Sequence, residues 1–439
     1  MKYLLVATYE LGQQPGAVGA AAAHLRAQGH EVRAVDVSVE PWDPAQLDWA
    51  DEVGFSVPMH TATRLARDLA RGVDKPVRAF GLYAAQCHDF AAPVDWGFAA
   101  LEMVPARDLL PPIDRYARLD IDGQQLLTGA VLASHGCAHR CRHCPVPVVF
   151  DGRVRRVDER AVLADIEQLV GAGARHITFG DPDFLNAPPH SRRIVAAMHE
   201  RFPDITFDCT VKVEHVLRYG GIQHGGLRHG ELWPEFAEAG CLFVVSAFES
   251  VDDAVLARLD KGHTAADAAR AVTVLRDAGI EVRPSWLPFT PWTTRDDVIA
   301  LLDFVHEHDL VGSVDPVQYC VRLLLPEGSL LLGHPDLAPF LGPWDPERST
   351  YTWSSPDPAL DELQQSIATI VTPSGETADD DPIAVYARVR EAAGAPPVDL
   401  THVTIGRPRL TESWFCCAEP TETQLTRIGT RGGSSERCC

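Results

Sequence analysis

Short apolar runs alternate with helix-patterned stretches along most of this 439-residue chain, and that alternation restricts its fold more than any other feature. Strands are expected at 3–8, 31–37, 52–57 and 77–82, with helices at 17–28 and 61–71. Strands separated by helices pair in parallel, because each helix carries the chain back to the end where it started. Residues 1–115 therefore read as an α/β, flavodoxin-like, doubly wound sheet. Residues 87–104 hold no clear fifth βα unit, and the proline-rich 105–112 reads as a linker.

A second series follows, with strands at 128–134, 176–180, 206–211, 242–248, 281–287 and 316–325. Helices are expected between them at 159–171, 191–201, 232–239, 264–278 and 295–308. Six such units make a partial (β/α)6 barrel over 125–332, and chemistry in such barrels sits at the C-terminal strand ends. Past residue 332 the periodicity weakens. Helices at 358–370 and 382–393 belong to a mixed C-terminal extension, 333–439, and no internal repeat is present.

Composition narrows the partners. Lysine and arginine number 39 against 61 acidic residues, a net charge of −22, so nucleic acid and anionic membrane surfaces meet a repulsive field. No apolar stretch approaches the ~20 residues a membrane helix needs. The opening MKYLLVATYELG reads as a first strand, not as a signal segment. Eleven cysteines without an export signal suggest a reducing cytoplasm, where clustered thiols serve metal or redox chemistry.

The densest cluster is SHGCAHRCRHCPVP, residues 134–147, with Cys137, Cys141 and Cys144 just past the first barrel strand. Three thiolates so close can wrap one face of an iron–sulfur cube and leave one iron open to a chelating small molecule. The other reading is a zinc site completed by His135, His139 or His143.

C-x3-C-x2-C after the first strand of a six-unit βα barrel resembles the radical S-adenosylmethionine (SAM) superfamily. The resemblance covers roughly 128–332, with His143 where the family usually has an aromatic residue. It implies a [4Fe–4S] cluster on the three cysteines, SAM on the open iron, a small-molecule substrate, and a reductant such as flavodoxin or ferredoxin. The stretch FGDPDF, 179–184, resembles the family's Gly-Gly-Glu turn, which makes Gly180, Asp181 and Asp183 candidates for holding SAM. The segment VVSAFESVDD, 244–253, resembles its fourth-strand signature, with Ser246 and Glu249 the candidates, and Lys212 stands at a comparable strand end. Each has a plainer role open to it. Asp181 and Asp183 could cap the next helix, and Glu249 could form a solvated pair with Lys261.

YCVRLLLPEGSLLL, 319–332, together with the front domain, resembles the cobalamin-binding subgroup, which makes cobalamin a possible cofactor. That subgroup's usual Asp-x-His-x-x-Gly pattern is absent, and a degenerate, cobalamin-free front domain is equally compatible. His60, Thr61 and Thr63 at a helix start would suit a phosphate or other polar ligand, or Thr61 a plain N-cap.

Paired cysteines recur in SWFCCAEP, 413–420, and in the terminal SERCC. This ending resembles a radical SAM family named for its Cys-Cys-Ala-Glu-Pro tail, in which selenocysteine can replace the second cysteine. Cys416, Cys417, Cys438 and Cys439 are therefore candidate catalytic thiols, able to exchange disulfides or capture a thiophilic substrate. Two reactions stay open, carbon–heteroatom bond formation on such a substrate and cobalamin-assisted methyl transfer. A non-enzymatic zinc module is the rival from another class.

Overall fold

The computed structural model describes residues 1–220, 232–371 and 381–412. Its front sheet is built from β1 (Lys2–Ala7), α1 (Gly16–Ala27), β2 (Glu31–Asp36), α2 (Gln46–Trp49), β3 (Glu52–Ser56), α3 (His60–Ala70), β4 (Val77–Phe80) and β5 (Ala91–Val94). The strand order is β2-β1-β3-β4-β5, all parallel, which is the flavodoxin-like order. A fifth strand thus exists where none was legible. It is short, largely exposed and joined to β4 across a register shift, which explains its weak signal.

The second sheet begins with a hairpin, β6 (Arg118–Ile121) and β7 (Gln124–Val131). Its turn is Asp122–Gly123, both at positive φ, the two-residue turn whose twist matches that of the strands. A small ribbon, β8 (Ser134–Gly136) against β9 (Val154–Arg156), carries the cysteine loop and α4 (Val146–Phe150) between its strands. Next come α5 (Glu159–Gly171), β10 (His176–Phe179), α6 (Pro188–Arg201), β11 (Thr206–Thr210), α7 (Val213–Tyr219), α8 (Leu232–Glu238) and β12 (Cys241–Glu249). Helices α9 (Asp253–Leu259) and α10 (Ala265–Asp277), strand β13 (Glu281–Trp286) and α11 (Arg295–Glu307) complete the series. Strands β7, β10, β11, β12 and β13 are parallel neighbours in a curled half-barrel with the helices packed outside.

The sixth expected strand, 316–325, is not one. Pro316 opens a 3-10 turn, Pro316–Cys320, and only a single bridge, Phe289 to Arg322, continues the sheet. Proline fixes its own φ and lacks an N–H. The Gln318 side chain instead accepts the Trp286 N–H of β13 at 2.9 Å, the bond a neighbouring strand would have made.

The C-terminal residues return to both sheets. Hairpin β14 (Leu341–Asp345) with β15 (Thr350–Trp353) leads into α12 (Pro358–Val371) and α13 (Pro382–Ala393), whose apolar faces join the barrel core. Strand β16 (Arg409–Leu410) adds an edge to the barrel sheet beside β6. The hairpin turn plugs the start of α3. His60 is fully buried there, with Nε2 3.3 Å from the Ser349 carbonyl oxygen, and Thr63 Oγ1 donates to the Met59 carbonyl. Thr61 is no cap either, because Met59 stands at the cap position.

The proline-rich stretch is not a loose linker. Arg107 within it is buried and forks onto Asp165 of α5, with Nε and Nη2 2.9 and 2.8 Å from the two carboxylate oxygens. Its remaining hydrogens reach Gln14 Oε1 at 2.8 Å and the Ala130 carbonyl at 2.6 Å. One guanidinium thus joins the front sheet, the linker, β7 and α5. Asp165→Ala, which strands this guanidinium in a dry interior, is expected to cost about 3–5 kcal/mol by urea denaturation, against a smaller loss for Arg107→Met combined with Asp165→Leu.

His60 makes stability pH-dependent. Burial holds its imidazole down to about 4, from an ordinary 6.5. The unfolded chain takes up a proton below about 6.5 that the fold refuses, so stability is lost as pH falls from there towards about 4. His60→Gln should remove up to one proton from this slope, read as a gap from the parent that narrows between pH 7 and pH 5 in urea titrations.

Candidate functional site

Parallel strands in register end together, so the residues that follow them form one rim. Val131, Phe179 and Cys209 are aligned across β7, β10 and β11, while Thr210, Val245 and Arg283 continue the rim toward β13. The cysteine loop, Gly180, Lys212 and Glu249 follow these ends. The loops that follow front-sheet strands β1, β3 and β4 lie opposite them, with Leu11, Met59 and Leu82. Between the two rims lies a cavity of about 420 Å³ with a mostly apolar lining.

Cys137, Cys141 and Cys144 all line this cavity. Gly136 lets the loop turn inward. It sits at φ +82°, and a Cβ there would stand 2.2 Å from the Arg153 carbonyl oxygen, so no other residue fits. Backbone bonds hold the loop from outside, from Arg142 N to the Leu259 carbonyl at 2.8 Å and from Leu331 N to the Arg142 carbonyl at 3.2 Å. Asn186 Oδ1 accepts the Ala138 N–H at 3.0 Å. Phe98 and Leu82 of the front domain pack on Cys137, Val146 and Phe150, so the front domain forms one wall of the loop's surroundings.

The electrostatics centre on Glu249. This residue ends β12 in the left-handed region, φ +66°, and is buried. Oε1 accepts from Lys261 Nζ at 3.1 Å and lies 3.2 Å from His143 Nε2. Burial alone would raise this carboxyl, but the Lys261 ammonium and His143 bring it down to about 2. Lys261 is fully buried too. Its burial favours the neutral amine, yet Glu249 and the nearby Cys141 hold it well up and charged. The expected Glu249–Lys261 pair is therefore present, but as a dry pair beside the cysteines. Burial raises the Cys141 thiol, and the Lys261 and Lys212 ammonium groups oppose that rise. Burial, with Asp183 adding to it, pushes Cys137 to about 12.

The other expected residues part company. Gly180 and Lys212 line the cavity, with Lys212 Nζ 2.6 Å from Glu214 Oε2. Asp181 caps no helix. Its oxygens accept from Ser134 Oγ at 2.6 Å and Ala133 N at 2.9 Å, which fixes the approach to the cysteine loop, and burial raises its carboxyl to about 7. Asp183 does cap, accepting the Leu185 N–H at 2.9 Å. The Ser246 hydroxyl donates to the Val211 carbonyl at 2.7 Å and is fully buried. Cys416, Cys417, Cys438 and Cys439 lie outside the described residues.

Sequence reasoning passed over Gly136, Asn186 and His215. Only Gly136 carried a signal, a glycine placed directly before the first cysteine. Each of the three loop histidines meets a neighbour other than the cysteines, although His139 Nε2 and His143 Nδ1 have no hydrogen-bond partner. His143 faces Glu249, His139 lies between the Asp183 and Glu214 carboxylates, and His135 packs on Phe98.

Three thiols, a buried ammonium and a deep cavity at strand ends suit a thiolate-held iron–sulfur cluster and a polar cosubstrate. No imidazole lines the front wall among the described residues. The curated relatives include an uncharacterized methyltransferase of Pyrococcus horikoshii, 24% identical over 208 residues, 47% of this chain and 41% of that one. The chain thus spans about two-fifths of the length of this relative. Among solved structures, the cobalamin-dependent S-adenosylmethionine radical enzyme OxsB superposes with a TM-score of 0.64 at 14% identity, over 90% of this chain and 71% of that chain. The radical S-adenosylmethionine methyltransferase TsrM from Kitasatospora setae does so with a TM-score of 0.56 at 15% identity, over 90% and 97%. At these identities the likeness is one of fold. The family model of the radical SAM superfamily matches residues 131–305, the cysteine loop and the barrel strands behind it, so this part of the chain is a radical SAM domain.

Proposed function

We propose that this chain is a radical SAM enzyme acting on a small organic substrate, with a [4Fe–4S] cluster held by Cys137, Cys141 and Cys144. The observation that carries this reading is the convergence of all three cysteines on one cavity beside a buried, charged Lys261. When bound, the cluster and SAM supply one-electron reduction and a carbon-centred radical.

The chain's own residues prepare that chemistry. Lys261 offsets the negative charge of three thiolates in a place where water cannot, and Glu249 keeps Lys261 protonated. Gly180, Lys212 and Glu249 offer a close backbone approach, an ammonium and a carboxylate to the polar groups of SAM. Asp181 and Ser246 act one step back, holding the backbone on which the rim depends. The mostly apolar lining of the cavity keeps water away from a reactive intermediate. A protein such as flavodoxin or ferredoxin is the reductant, and a reducing cytoplasm the setting, in keeping with the free state of the seven described cysteines. Among the described residues no helix is long and apolar enough to cross a membrane.

The transfer of a methyl group with help from cobalamin is the reaction favoured here. Its support is the front sheet, whose strand ends open onto the cysteine cavity, and a fold shared with two enzymes that bind cobalamin. With no imidazole on the front wall, a corrin there would be held without a histidine ligand from it. The alternative, carbon–heteroatom bond formation on a thiophilic molecule, rests on the tail cysteines, and so does the resemblance to the Cys-Cys-Ala-Glu-Pro family.

Anaerobic reconstitution with iron and sulfide tests the first reading. About four irons and four sulfides per chain are expected, with SAM cleaved on reduction, and Cys141→Ala should lose both. A colourless protein holding one zinc overturns it in favour of the zinc module. Expression with hydroxocobalamin tests the second, with roughly one corrinoid per chain expected to survive purification. Its absence at full iron content removes methyl transfer through cobalamin and leaves carbon–heteroatom chemistry.

A further inference from the structure

Beside the cysteine cavity, three separate elements bring metal-ligating atoms together. His139 lies in the cysteine loop, Asp183 follows β10, and His215 is in the first turn of α7. One nitrogen or carboxylate oxygen from each falls within 4.8 Å of the other two. Asp183 is fully buried. Its Oδ2 lies 2.8 Å from His215 Nδ1 and 3.8 Å from His139 Nε2.

The tautomer of His139 decides what this cluster can do. Its Nδ1 is 3.4 Å from Glu214 Oε2, a charge contact that favours the ring proton on Nδ1 and the lone pair on Nε2. That Nε2 is buried and has no hydrogen-bond partner. It faces a carboxylate oxygen at a distance too long for a hydrogen bond, lone pair against lone pair, with an imidazole nitrogen alongside. A cation between them turns this repulsion into coordination. Two imidazoles and one carboxylate are the borderline donors that first-row divalent ions prefer, at bonds of about 2.0–2.2 Å that place ligand atoms about 3–4 Å apart. Asp183 and Glu214 together carry two negative charges against the one positive charge of Lys212, which is paired to Glu214 at 2.6 Å. The remaining negative charge suits a dication. A carboxylate behind a ligating histidine is also the usual outer support of such sites.

We propose that His139, Asp183 and His215 form a mononuclear divalent-metal site, separate from the cysteine set, with Glu214 orienting His139. Because His139 sits between Cys137 and Cys141, the ion ties the cysteine loop to β10 and α7.

The test uses the full chain, reconstituted anaerobically with iron and sulfide, incubated with zinc chloride, desalted, and counted for zinc and iron by mass spectrometry. The parent is expected to hold about one zinc per chain more than either His139→Gln or His215→Gln, at equal iron. Tail thiols contribute equally in all three proteins, so the difference reports the triad. Glu214→Gln keeps the ligands and should weaken zinc binding roughly 10–100-fold. Equal zinc in the parent and both histidine variants overturns the proposal. Iron that falls in step with zinc in both variants overturns it as well, since the triad would then only brace the cysteine loop.

Discussion

The cavity between the two sheets depends on Arg107. The other polar contacts between the front domain and the half-barrel lie nearer the surface, such as the Arg155–Asp95 pair at 3.2 Å, or are single bonds, such as Asp158 N to the Leu101 carbonyl at 2.8 Å. A guanidinium is a rigid, planar set of five donors, and here four bonds fix it to the Asp165 carboxylate, the Gln14 amide and the Ala130 carbonyl. Because the pair is buried, its geometry is enforced by the cost of leaving either charge unpaired, more than by any net gain from the attraction. This fork joins linker, sheet and helix at one buried point beneath the two strand rims.

The same logic governs the charges at the rim. Glu249, Lys261 and His143 are all buried within one hydrogen-bonded group. A surface carboxylate and ammonium would be screened and mobile, whereas this pair is held by the left-handed backbone of Glu249 and by the loop that carries Lys261. A positive charge next to Cys141 is thereby built into the fold before any ligand arrives. His143 joins the group through Nε2, which faces Glu249, while its buried Nδ1 has no hydrogen-bond partner.

Most of the barrel was legible, and the misses have causes. Helices at 159–171 and 382–393 appear with the expected bounds, because amphipathic periodicity reports burial directly. The β6–β7 hairpin was passed over although Asp122–Gly123 marks it, since its strands are half-exposed and lack a clean alternation. The run at 316–325 is apolar enough for a strand, yet Pro316 and the Gln318 side chain turn it into a 3-10 segment. At the site, Lys261 had been weighed only as a solvated partner of Glu249, since burial is a property of the whole packing and has no local signature. His215 offered no signal whatever, being one histidine on an ordinary helix.

What the sequence determined by itself was what short-range chemistry can specify. That includes the alternation of strand and helix, the parallel sheets this alternation forces, and three thiols close enough in the chain to share one cluster. Tertiary structure decided which of the polar residues near the strand ends meet. Asp181 and Ser246 turn to backbone groups, Glu249 turns to Lys261, and His139 meets Asp183 and His215 from 44 and 76 residues away. The reason is physical. Side-chain partners across a sheet are set by register, by the positive φ of single residues such as Gly136 and Glu249, and by which charges burial leaves without water. None of these is a property of any one segment.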